Sequence, residues 1–126
     1  MNTRQKGDYS ELVVLAELVG QERRVAVPYG QSEGFDMLVE GRSGKWSKIQ
    51  VKTAYRRGLR SNRIYLDTIR GTSLNKKRGY TEGAFDFLIG VLPVERLFWV
   101  VPFARMRSRR CITLDEHESA NWGMLD

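Results

Sequence analysis

The chain has 126 residues, 21 of them Lys or Arg against 15 Asp or Glu, for a net charge of +6. That length and an apolar content of 41% suit one self-standing globular domain, residues 1–126, and argue against disorder. No apolar run approaches the ~18 residues of a membrane helix and no secretion-like segment opens the chain, so no membrane partner and a cytoplasmic location are expected.

In chain order, residues 8–19 read as a helix, with Asp8 as N-cap and Glu11 completing a capping box. Residues 12–19 are apolar except Glu17, which predicts a largely buried helix that Gly20 ends. Residues 25–29 read as a strand, 30–34 as a turn, and 35–40 and 46–53 as two strands joined by a hairpin at 41–45. A further strand is expected at 63–69, a glycine-rich basic loop at 70–83, and a central buried strand at 85–92, with 97–101 as its hairpin partner. Residues 102–110 read as a basic helix or loop and 111–114 as a short strand; no internal repeat is evident. One helix followed by many strands predicts an α+β domain with a mixed or antiparallel sheet.

Charge is concentrated in the middle. Residues 56–110 hold 13 basic and 4 acidic residues, a net of +9, whereas residues 111–126 hold 4 acids and no Lys or Arg. Arg56, Arg57, Arg60 and Arg63, then Lys76, Lys77 and Arg78, then Arg105, Arg107, Arg109 and Arg110 form the basic zone. Such a zone suits a polyanion, most often nucleic acid, and arginine matches phosphate geometry; a generally soluble basic face is the plainer reading.

The hairpin register follows from its apolar residues. If paired positions sum to 86, Phe35 faces Val51, Met37 faces Ile49 and Val39 faces Ser47, so one face is apolar. Asp36 then lies opposite Gln50, with Lys52 one step along the same face. Glu11 shares a helical stripe with Leu15 and Leu18, which aims it at the sheet. One cysteine, Cys111, and one histidine, His117, exclude an internal disulfide and a multi-cysteine zinc site, and argue against a His-based metal site or a Ser-His-Asp triad. A metal site here would use oxygen ligands, which points to magnesium-type chemistry. Two carboxylates and an amide oxygen can hold such a cation, and a neighbouring lysine can steer or deprotonate a water. Singly, each residue also has a structural reading: Asp36 as a turn cap, Glu11 as a capping acid, Lys52 as a solvated side chain. Asp86, interrupting an apolar run, is expected to be structural, with Tyr80 or a nearby arginine as partner.

Gly34-Phe35-Asp36, followed after thirteen residues by Gln50-Val51-Lys52, resembles the PD-(D/E)XK nuclease motif, with Phe35 in place of proline and Gln50 in place of Asp or Glu. The wider pattern resembles the group I intron-encoded homing endonucleases of that fold. It comprises Gly7-Asp8-Tyr9-Ser10-Glu11, Val27-Pro28-Tyr29-Gly30, Phe35-Asp36-Met37-Leu38-Val39-Glu40, Ile49-Gln50-Val51-Lys52-Thr53, Tyr80 with Asp86-Phe87-Leu88, and Val100-Val101-Pro102. The resemblance implies a restriction-endonuclease-like core, a mixed central sheet with the N-terminal helix packed on it. It further implies a Mg2+-dependent endonuclease acting on double-stranded DNA. Glu11, Asp36 and Val51 would be metal ligands, Lys52 would position the attacking water and Gln50 would assist. From the charge pattern, Arg56, Arg57, Arg60, Arg63, Lys76, Lys77 and Arg78 are expected to bind DNA, and the resemblance implies a homo-oligomer, a dimer or tetramer. Archaeal-type Holliday junction resolvases are similar in fold, and Ser32 would match the serine before their motif aspartate. A structure-specific nuclease of that kind, and a DNA-binding module without catalysis, are the alternatives.

Overall fold

The structure, a computed structural model, describes residues 1–30, 34–58, 63–70, 78–79, 81–107 and 109–126, with 69, 70, 78 and 79 described by backbone alone. The first helix, α1 (Thr3–Gly20), begins five residues before the expected start, because Asn2 and Gln5 make the capping box instead of Asp8 and Glu11. The Gln5 amide donates to Asn2 Oδ1 at 2.8 Å and the Asn2 amide donates to Gln5 Oε1 at 3.0 Å. Burial is also narrower than expected. Ser10, Val13, Val14 and Leu18 face inward, whereas Leu12 and Val19 are 63% and 56% exposed. The spacing of the inward residues gives one apolar stripe rather than a helix buried all round.

The following strands are β1 (Val25–Ala26), β2 (Met37–Glu40), β3 (Trp46–Thr53), β4 (Tyr55–Arg56), β5 (Ile64–Asp67), β6 (Ile69–Arg70) and β7 (Arg78–Gly79). After them come β8 (Phe87–Leu92), β9 (Leu97–Pro102), the short helix α2 (Phe103–Met106) and β10 (Cys111–Leu114). Five strands form one sheet in the order β1-β2-β3-β8-β9, antiparallel throughout except for the parallel pair β3–β8. The sheet is mixed, as expected, and β8 lies inside it with β9 as antiparallel partner. β1 is shorter than expected: Pro28 lacks a ladder donor and Tyr29 is fully exposed.

The expected strand at 63–69 is two strands. Thr68 separates them, its amide donating to the Arg110 carbonyl at 2.9 Å and its hydroxyl to the Arg109 carbonyl. On one side β5 joins β4 and β10 in a three-stranded sheet, and on the other β6 pairs with β7 in a ribbon within the expected 70–83 loop.

The main sheet is covered on both faces. Val13, Val14 and Leu18 of α1 pack on Val39, Ile49, Val51 and Ile89. On the opposite face Ile64, Leu66, Ile112 and Leu114 of the small sheet pack on Leu88, Trp99 and Val101. Gly90 permits that second layer, since a Cβ there would stand 3.3 Å from both terminal methyls of Leu66. The outer edge of β9 is capped: the Val100 amide donates to Asn121 Oδ1 at 2.7 Å, and Asn121 Nδ2 donates to the Val100 carbonyl at 2.8 Å. Closing that edge removes a row of open backbone groups. Among the described residues, no helix is long and apolar enough to cross a membrane.

The chain's last residue ties down the β2–β3 hairpin. Arg23 donates to Asp126 at 2.7 Å and the Arg42 amide donates to the same carboxylate at 2.8 Å. These bonds hold the Asp126 carboxyl at about 2, below its ordinary 3.8. A depressed folded-state value means stabilisation that is present above pH ~4 and fades as pH falls through about 2. Asp126→Asn should therefore lower the melting temperature at pH 7, and the gap to the wild type should narrow progressively below pH 4; thermal melts across that range check it.

Candidate active site

The site begins where the β2–β3 ladder stops. The four pairs from Met37–Ile49 to Glu40–Trp46 keep the expected register. Beyond them the chain leaves the ladder, and the two remaining expected pairs do not form as drawn. Phe35 packs with Phe85 and its neighbours on the small-sheet face, while Val51 belongs to the helix face. Asp36 instead grips β3 at two points: its amide donates to the Ile49 carbonyl at 2.7 Å, and its Oδ2 accepts the Val51 amide at 2.7 Å. The carboxylate does the work of a backbone carbonyl, satisfying a donor the splayed strands would otherwise orphan.

Glu11 reaches this point from α1. Ser10, buried beside it, is hydrogen-bonded to Thr53 at 2.5 Å, which pins the helix to the end of β3. Glu11 lines the same cleft as Asp36, near enough for each carboxyl to act on the other. Burial, then the Asp36 charge, raise the Glu11 carboxyl from 4.5 to about 7. Burial raises Asp36 too, opposed by the Val51 amide, the Glu11 hydrogen bond and the Lys52 charge. Like charges at this range cannot both ionise cheaply, so the pair gives up its last proton at a higher pH than a lone carboxyl would. Lys52 is near enough for its charge to act on Asp36, and Gln50 Nε2 donates to the Val51 carbonyl at 3.4 Å. Glu11 and Asp36 line a cleft of about 290 Å³ together with Asp8, Leu12, Leu15, Val27 and Met37, and Lys52 acts on Asp36 from beside it.

The donor set suits a hard divalent cation. Two carboxylates that repel one another when charged gain from a cation between them, and a backbone carbonyl adjoins them. Among the described residues no cluster of three or more His, Cys, Asp or Glu side chains could hold a metal. Magnesium does not require such a cage, because it keeps several waters and takes one or two carboxylates plus substrate oxygens.

Asp86 departs from expectation in burial and partner. It is exposed, and its Oδ2 accepts the Lys48 amide at 2.8 Å rather than meeting an arginine. Tyr80 and Ser32 lie outside the described residues. The basic zone divides. Arg56 is held by Glu95 and Glu116, each at 2.7 Å, and its guanidinium is raised by both. Arg107 pairs with Glu82 at 2.5 Å, and Arg105 donates to the Thr113 carbonyl at 3.0 Å. Arg57 lies exposed with its guanidinium 4.6 Å from the Tyr65 ring centre, and Arg63, Arg109 and Arg110 are exposed. Arg60, Lys76 and Lys77 fall outside the described residues, and Arg78 contributes backbone to β7.

Comparison with known proteins gives the family. The family model of the PD-(D/E)XK endonucleases matches residues 1–122. The chain belongs to that family. PD-(D/E)XK nucleases generally use divalent metal ions, consistent with the donor set around Asp36. Among solved structures, a bacterial homing endonuclease, I-Ssp6803I, superposes with a TM-score of 0.76 over 90% of this chain and 78% of that one, at 22% identity. This establishes a restriction-endonuclease-like fold. No curated protein matches.

The raised Glu11 carboxyl has a thermodynamic consequence. Between 4.5 and about 7 the folded protein holds a proton that the unfolded chain has lost, so this group's contribution to stability falls as pH rises. In chelator-treated protein, Glu11→Gln should raise the melting temperature relative to wild type at pH 8, with a smaller gain at pH 5; paired melts at the two values check the sign.

Proposed function

We propose that this PD-(D/E)XK protein is a Mg2+-dependent, site-specific endonuclease of double-stranded DNA, working as a homing endonuclease does. The observation that carries the proposal is the placing of Glu11 and Asp36 on one cleft, with the Lys52 charge acting on Asp36. Asp36, Glu11 and the Val51 carbonyl would hold the cation, which would polarise a phosphoryl oxygen and acidify water. Lys52 would orient the attacking water and offset charge that builds on the phosphate. Gln50, by its bond to the Val51 carbonyl, would keep that carbonyl's direction. A chain with one such site cuts one strand at a time, so a homo-oligomer, a dimer or tetramer, is proposed for double-strand cleavage.

The test is selection of cleaved sequences from a random duplex library with Mg2+, alongside four-way junctions. Enrichment of one duplex sequence supports the proposal. Cleavage of junctions alone would make the protein a structure-specific nuclease, and salt-sensitive binding without cleavage a DNA-binding module. On the selected duplex, Asp36→Ala should abolish cleavage and leave binding within a few-fold, because metal and phosphate contacts are separate. Wild-type cleavage by this variant would refute the site.

The DNA contacts are proposed for Arg57, Arg60, Arg63, Lys76, Lys77 and Arg78. Arg56 is set apart by its two acidic partners. Replacing Arg57 and Arg63 with alanine should reduce the log-log salt slope of binding by up to ~1.8, at roughly 0.9 per contact. Arg56→Ala should lower the melting temperature and leave the slope intact. An unchanged slope in the first variant would move the DNA toward Arg105, Arg107, Arg109 and Arg110.

A further inference from the structure

The catalytic Phe-Asp step has a double. Phe35-Asp36-Met37-Leu38-Val39 is echoed fifty residues later by Phe85-Asp86-Phe87-Leu88-Ile89. Both segments enter a strand that borders β3, β2 on one side and β8 on the other. Both aspartates bond β3 through amide and carboxylate, Asp36 across two of its residues and Asp86 on one. Asp36 donates its amide to the Ile49 carbonyl and accepts the Val51 amide on Oδ2. Asp86 donates its amide to the Lys48 carbonyl at 2.9 Å and accepts the Lys48 amide on Oδ2 at 2.8 Å.

The two segments also touch. A Cβ on Gly34 would stand 2.8 Å from the Cβ of Ala84, which leaves no room for a side chain between them. Lys48 connects the same elements: its Nζ donates to the Gly83 carbonyl at 3.4 Å and lies 5.8 Å from the Phe35 ring centre. Displacing Asp86 would therefore shift Lys48 and, through Phe35 and Gly34, the chain that carries Asp36.

We infer that Asp86 is a positioning residue of the active site, acting through Lys48 and the Gly34–Ala84 contact to hold Asp36 at its place on β3. This rests on the proposed role of Asp36 as a metal ligand. Asp86 itself is exposed and is on the far side of β3 from Asp36, so its effect travels by backbone register rather than by coordination. Residues that orient metal ligands from one shell out commonly change affinity or activity about 10–100-fold when replaced.

The experiment measures Mn2+ binding to the full chain without DNA, by calorimetry, with circular dichroism to verify folding. Asp86→Ala should weaken Mn2+ about tenfold or more. Asp86→Asn keeps an oxygen for the Lys48 amide and should restore affinity to within a few-fold of wild type. Ala84→Val leaves both aspartates intact, presses on Gly34 and should also weaken Mn2+; it decides the matter if Asp86→Ala does not fold. Wild-type affinity in folded Asp86→Ala, or in Ala84→Val where Asp86→Ala does not fold, would overturn the inference and leave Asp86 a structural cap. Asp36→Ala separates the two levels. If it too binds Mn2+ as wild type does, the metal-site reading fails; if it alone loses Mn2+, only the role of Asp86 fails.

Discussion

A carboxylate used as a backbone surrogate organises this site. At the point where β2 parts from β3, the Val51 amide has no carbonyl opposite it, and the Asp36 side chain supplies the missing acceptor. An orphaned buried amide costs about 1–3 kcal/mol, so the bond is favoured by folding itself, before any catalytic use. It also spends one face of the carboxylate and fixes the direction of the other. The Glu11 carboxyl lies near Asp36 because α1 is docked by the Ser10–Thr53 bond at the end of the same strand. Folding energy from ordinary ladder and core contacts thus brings two acids together, and their mutual repulsion is what a bound cation would relieve.

The layers on either side serve the same end. α1 covers one face of the sheet and the β4-β5-β10 sheet covers the other, leaving the end of β2 and β3 as the place where polar groups meet. The acidic C-terminal segment is used internally. Glu116 meets Arg56, Glu118 lies 3.9 Å from Arg105, and Asp126 meets Arg23 and Arg42. The surplus of cations between residues 56 and 110 therefore overstates what is offered to a polyanion, because part of it locks the tail and the small sheet to the main sheet.

How much could be read beforehand follows from the range of each interaction. The bounds of β3 and its register with β2 were legible because a single-residue slip would move Met37, Val39 and Ile49 off the buried face. The inward direction of Glu11 was legible from its stripe with Leu15 and Leu18. The helix start was not: Asn2/Gln5 and Asp8/Glu11 both satisfy the capping pattern, and the upstream pair wins by adding five residues of helix. That outcome frees Glu11 from a capping role, which local pattern could not reveal. Phe35 was placed on the wrong face because the strand was extended past its last ladder pair. The break at Thr68 depends on carbonyls some forty residues away, beyond any local period. The Phe-Asp echo was visible in the letters, but it gained meaning only when both segments were found against β3.

The most direct test of the account is the titration of the Glu11 carboxyl by carbon-detected NMR in chelator-treated protein, repeated with Asp36→Asn. Burial and, after it, the Asp36 charge predict a midpoint near 7 in the wild type that falls part of the way toward the ordinary 4.5 when the Asp36 charge is removed. A Glu11 midpoint near 4.5 in the wild type, indifferent to Asp36, would contradict the carboxyl pair on which the proposed metal site rests.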